Sequence, residues 1–169
     1  MPFLFFENSK HEIGFSFQNT NTMLAEIFTR YFHFITIFGL VSSVIAEHLL
    51  LKPRMTRQEI KRMAVIDGIY GLSAILVVAA GLTLWFGVGK PAEYYTQNWI
   101  FHTKVGLAIL MGLLSIYPTI FFIKQRKGPA EELVAIPPAI KWTIRAELLI
   151  IFTIPLLASL MAKGIGQFG

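Results

Sequence analysis

Residues 63–88, MAVIDGIYGLSAILVVAAGLTLWFGV, contain a single charged side chain, Asp67, in a run longer than the roughly 20 residues a helix needs to cross the hydrocarbon core of a bilayer. Three further stretches, at 23–51, 98–123 and 138–162, meet the same length. The connections between them are short, so neighbouring spans must run antiparallel. The chain therefore reads as an all-α integral membrane protein, a single domain over 1–169 folded as an antiparallel four-helix transmembrane bundle. The segment 1–22 is rich in aromatic residues and is expected to lie on the membrane interface.

Composition agrees with that class. Hydrophobic residues make up 54% of the chain and charged residues only 15%, against about 25% charged in an average soluble domain. The net charge of +5 does not point to nucleic acid, because the basic residues sit in short loops beside apolar runs. Cysteine is absent, which excludes disulfides, thiolate metal sites and thiol nucleophiles. Redox chemistry in such a chain needs a bound cofactor.

Lys52, Arg54, Arg57, Lys61 and Arg62 crowd the first connection, and Lys124, Arg126 and Lys127 the third. The middle connection has only Lys90. By the positive-inside rule the first and third connections face the cytoplasm and both termini face outward, which suits a bacterial inner membrane. Trp85, Tyr94, Tyr95 and Trp99 fall where an outer aromatic belt is expected. Small residues, among them Gly39, Ser43, Gly68, Gly71, Ala108 and Gly112, permit close helix packing in lipid.

Ionisable groups at membrane depth each need a role. Toward the outside lie Arg30, His33, His102 and Lys104; toward the cytoplasm lie Glu47, His48, Asp67, Lys141, Arg145 and Glu147, with Tyr70 and Tyr117 nearby. The inner set has both signs of charge, so a charge-paired cap between Glu47 and Arg145 is expected, with a proton relay through Glu47, His48 and Asp67 as the other reading. In the outer set, His33 and His102 fall early in two parallel spans at similar depth, the arrangement that axial ligation of a haem b between helices requires. On this reading His33 and His102 are the metal ligands. Arg30 and Lys104 either hold the propionates or snorkel to headgroups. His102 and Lys104 stand about 200° apart around a helix, so only one of them faces inward, and the residues leave open which.

The segments 31–39, YFHFITIFG, and 101–106, FHTKVG, resemble short bacterial membrane proteins that include the HemJ-type protoporphyrinogen oxidases. The chain as a whole looks closest to a related four-span family of unknown function. The resemblance implies a haem b site and an oxidoreductase acting on a porphyrinogen, with electrons passed to quinone or a respiratory-chain partner. The alternative is a cofactor-free accessory subunit or assembly factor, acting as a homodimer or within a larger membrane complex through its small-residue faces.

Overall fold

The computed structural model describes the backbone of residues 3–168 and the side chains of residues 20–168. Four long helices dominate it: α1 (Phe3–Leu50), α2 (Arg57–Thr83), α4 (Trp99–Gln125) and α5 (Pro138–Ala162), with a short α3 (Ala92–Thr96) between α2 and α4. The parts long and apolar enough to cross a membrane are Thr20–Leu50, Arg57–Val88, Trp99–Gln125 and Pro138–Ala162. The expectation for segment 1–22 falls mostly on side chains outside the described residues.

Each helix packs on two others. α1 lies against α2 and α5, and α4 lies against α2 and α5, so the ring runs α1–α2–α4–α5 and leaves α1 diagonal to α4. The outward faces carry Phe28, Phe38, Leu72, Ile75, Leu113 and Phe152, all widely exposed; a membrane protein turns such a surface to lipid. The core is assembled from Leu40, Val44, Ile60, Met63, Tyr70, Met111, Phe122, Ile140 and Ile144. Gly39 marks a close α1–α2 approach, where an added Cβ would stand 2.8 Å from Ser73 Oγ.

The first and third connections are not simple loops. β1 (Arg54–Thr56) and β2 (Leu133–Ala135) pair antiparallel, Met55 opposite Val134, and close one end of the bundle as a strap. α2 begins at Arg57, six residues before the expected 63, because Thr56 and Glu59 form a capping box. Thr56 Oγ1 accepts from the Glu59 amide at 3.2 Å, while Glu59 Oε2 accepts from the Thr56 amide at 2.9 Å; this reciprocal pairing starts a helix firmly. Arg57 then clamps the two connections together. Its Nε and Nη2 donate to Glu132 at 2.7 and 2.9 Å, and its Nη1 donates to the Gln125 carbonyl at 2.8 Å.

The opposite end is closed by the C-terminal tail. Asn98, fully buried, accepts from the Ile100 amide at 2.9 Å to cap α4 and donates to the Ile165 carbonyl at 3.0 Å. The Trp99 amide donates to the Gly166 carbonyl at 3.0 Å. Gly166 has φ +91°, and a Cβ there would collide with Ile100 and Asn98, so only glycine lets the tail lie this close.

Gly39→Leu is expected to drive α1 and α2 apart and lower the melting temperature in detergent. Gly71→Leu, at a site with nothing within 4 Å of a Cβ, is expected to leave the fold unchanged. Similar melting temperatures for the two variants would refute the close approach at Gly39. The strap supplies a pH test. The Arg57 guanidinium, by its hydrogen bonds, holds the Glu132 carboxyl below the usual glutamate range. The clamp's contribution is therefore present above the ordinary glutamate pKa and is lost as pH falls through the lowered value. Hydrogen exchange at the Arg57 and Ile136 amides, which bond across the strap, should quicken over that acid window, and Glu132→Gln should bring the same quickening to neutral pH.

Candidate functional site

The buried stripe of α5 runs through Ile140, Ile144, Glu147 and Ile151, spaced four, three and four residues, as one helix face requires. Glu147 thus occupies a core position. On α1 the inward stripe includes Thr36, Leu40, Ser43, Val44 and Glu47, and on α2 it includes Ile60, Met63, Asp67, Tyr70 and Ser73. The three carboxyl-bearing residues are each no more than 4% exposed. They lie within electrostatic reach of one another, Glu47 with both Asp67 and Glu147, and Glu147 with Asp67. Tyr70 lies within reach of all three.

α4 supplies the fourth wall. Thr119 Oγ1 donates to Asp67 Oδ1 at 2.9 Å. The preceding Pro118 is fully buried inside the helix and has no amide hydrogen for the carbonyl one turn back. Ser115 of α4 lies near the Tyr70 hydroxyl, and three atoms of the cluster are left short of a partner. Glu47 Oε1, Glu147 Oε1 and the Tyr70 hydroxyl are buried with no hydrogen-bond partner.

No cation reaches the cluster among the described residues. The expected Glu47–Arg145 pair does not form: the Arg145 guanidinium lies 5.1 Å from the Trp142 ring centroid on the outward face of α5, and Lys141 is exposed beside it. The reason is helical phase. Arg145 precedes Glu147 by two residues, about 200° around α5, so turning Glu147 inward turns Arg145 out. Three ionised carboxylates cannot share such an interior, because unpaired burial costs several kcal/mol per charge. The arrangement demands protons or a counter-ion. Among the described residues no group of three or more His, Cys, Asp or Glu is placed to hold a metal ion.

The other end of the bundle is built differently. His33 on α1 lies against α2, its Cε1 3.6 Å from where a Gly81 Cβ would be, beside the Val77 backbone and within electrostatic reach of Lys104. Its Nδ1 is buried without a partner. Lys104 is the inward member of the His102/Lys104 pair. His102 is exposed, its Nε2 2.9 Å from the Thr96 carbonyl of α3. Arg30 is bound on the surface of α1 to Glu26, at 2.6 Å. The structure therefore brings His33 and Lys104 together and does not bring His102 or Arg30 to them. In this arrangement His102 is turned to the α3 side, at the Thr96 carbonyl, rather than toward His33.

The geometry is that of a multi-pass membrane bundle with a polar interior, and the sequence profile described as "Predicted membrane protein (DUF2214)" matches residues 25–166. The chain belongs to the DUF2214 family. That match takes in α1 from residue 25 onward, the other three long helices, the strap and most of the tail, so the architecture above is that of a DUF2214 protein. No curated protein and no solved structure matches the chain.

The sequence flagged Glu47, Asp67 and Glu147 individually as groups needing an explanation. It placed Tyr70 near them and offered a relay through Glu47, His48 and Asp67; it missed that all three carboxyls converge without a cation, and it missed Thr119 as a member. The spacing of Glu147 from Ile140 and Ile144 was the available signal. Neutralising a carboxyl separates this reading from a structural ion pair. Glu47→Gln and Glu147→Gln are each expected to leave stability unchanged or raise it by up to about 2 kcal/mol in detergent melts, whereas breaking a buried salt bridge costs about 3 to 5 kcal/mol.

Proposed function

We propose that this DUF2214 protein handles protons inside the membrane, taking them up and releasing them at the Glu47–Asp67–Glu147 cluster. One observation carries this reading: three carboxyl groups from three helices are buried together with no cation beside them. Ionisable groups facing a bundle interior mark proton and ion pathways. Glu47 Oε1, Glu147 Oε1 and the Tyr70 hydroxyl are the unsatisfied atoms, and each can take or give a proton to a neighbour or to an entering water. Asp67 differs, since its Oδ1 already accepts a hydrogen bond from Thr119.

Ser43, Thr36 and His33 follow Glu47 along the inward side of α1, with the apolar Leu40 between Ser43 and Thr36. From Glu47 to His33 is fourteen residues, about 21 Å at the α-helical rise, or some two-thirds of a bilayer's hydrocarbon thickness. With the basic strap end toward the cytoplasm, as the charge bias favours, the cluster exchanges with the cytoplasmic side. The protein itself supplies the fixed carboxyls, the hydroxyls between them and the apolar shell that keeps bulk water out.

Infrared difference spectra across a pH titration should show carbonyl bands of protonated carboxylic acids, reduced in Glu147→Gln and again in the double variant with Glu47→Gln. Proteoliposomes carrying a pH dye and an imposed potential should acidify faster than empty vesicles, with the rate cut about tenfold in the double variant. Vesicles no leakier than controls, together with no protonated carboxyl band, would end the proposal.

A second reading is favoured by the buried, unpaired Nδ1 of His33, a nitrogen free to ligate a metal. In it His33 would hold haem b on one face and Lys104 would meet a propionate. The haem would supply electron transfer toward a quinone or from a porphyrinogen. Protein purified from haem-replete cells should then show a reducible Soret band that His33→Ala abolishes and His102→Ala leaves in place. Colourless wild-type protein would exclude it.

A further inference from the structure

The tail-end half of the bundle has the opposite problem from the acidic cluster: its unsatisfied groups are donors and cations. α2 ends in a π-helical turn, Leu84–Val88, and such wide turns often occur where a helix re-aims a side chain at a functional site. Here the re-aimed residue is Trp85. Its ring is stacked on Phe86 at 4.3 Å and edge-on to Phe101 of α4 at 4.7 Å, and its Nε1 is buried with no acceptor. An indole N–H can only donate, so this atom lacks the one partner it is able to use.

Trp85 stands one turn beyond Gly81, against which the His33 ring lies. Phe101, which touches Trp85, stands three residues before Lys104, which lies within electrostatic reach of His33. Three helices therefore direct Trp85, His33 and Lys104 to one region. Among the described residues, Lys104 makes no hydrogen bond or ion pair. Among the described residues no acid pairs with Lys104: Glu26 binds Arg30 on the surface of α1, Glu93 is exposed on the short α3, and Glu47 is about 21 Å along α1 from His33.

We propose that this region binds the carboxyl head group of a membrane-dissolved amphiphile, with a fatty-acid-like tail lying in the bilayer. The Lys104 ammonium and the Trp85 Nε1–H donate to its oxygens. A carboxyl also satisfies His33 in either state, because a carboxylate accepts from a ring N–H and a carboxylic acid donates to a bare ring nitrogen. A neutral ester or alcohol meets these groups less well, since it brings no negative charge to Lys104. The flanks are apolar and open to lipid, with Phe32, Leu82 and Phe86 all exposed, which suits an apolar tail and not a hydrated inorganic anion.

The site contains its own reporter. In detergent-solubilised full-length protein carrying Trp99→Phe and Trp142→Phe, Trp85 is the remaining tryptophan, and its fluorescence can be titrated with a brominated fatty acid and with the methyl ester of the same acid. The acid should quench Trp85 saturably, with an apparent affinity at least about tenfold tighter than the ester. Lys104→Gln should reduce the acid to the ester's level, and Lys104→Arg should keep most of the preference. Equal quenching by acid and ester, or an undiminished preference in Lys104→Gln, would overturn the proposal. A Soret band in the purified protein that His33→Ala removes would also overturn it, by giving the region to a porphyrin.

Discussion

Hydrocarbon offers no hydrogen bonds, so every polar atom between these four helices must be answered from within the bundle or by something that enters it. Most are answered locally. Thr29, Ser43, Thr153 and Ser159 each donate to a carbonyl one turn back on their own helix, and Thr36 does the same. What remains is confined to two places, and their signs are opposite. Near the strap the surplus is carboxyl and phenol oxygen; near the tail it is indole and imidazole nitrogen.

That separation follows from the ring order of the helices. Because α1 and α4 are diagonal, α2 lies between them and can present Asp67 and Tyr70 to the strap-end interior while its other end presents Trp85. α5 contributes Glu147 to the strap end and at the tail end only Met161, whose carbonyl accepts from the Tyr94 hydroxyl at 2.9 Å. Along the bundle axis the interior polar groups thus form a column sorted by type, acids toward the strap and nitrogen groups toward the tail.

Both ends of the column are covered by structure that is more polar and more tightly bonded than the spans. The strap joins the first and third connections through a forked Arg57–Glu132 pair, a geometry that fixes direction as well as distance. The tail uses Asn98 both as the cap of α4 and as a bracket to Ile165. The strap holds the pair α1–α2 to the pair α4–α5, and the tail holds the start of α4 to the end of α5, where apolar packing alone would let them slide, since lipid competes equally for apolar side chains.

The four spans, their antiparallel order and the positions of the buried ionisable residues were legible in the sequence, because length and the absence of charge are one-dimensional properties. Even the start of α2 was written there, in the Thr56 and Glu59 capping pair. Rotational phase was not legible. A span apolar on every side gives no moment to say which face meets lipid, so nothing in the chain decided that Lys104 turns inward and His102 outward, or that Arg145 leaves Glu47 for Trp142. The pairing of Met55 with Val134 was hidden for a related reason, since those residues are about eighty positions apart and meet only once the helices between them are stacked. Sequence alone determined what had to be buried in the membrane; only the packing of four helices around a common axis decided which of those groups would meet there unpaired.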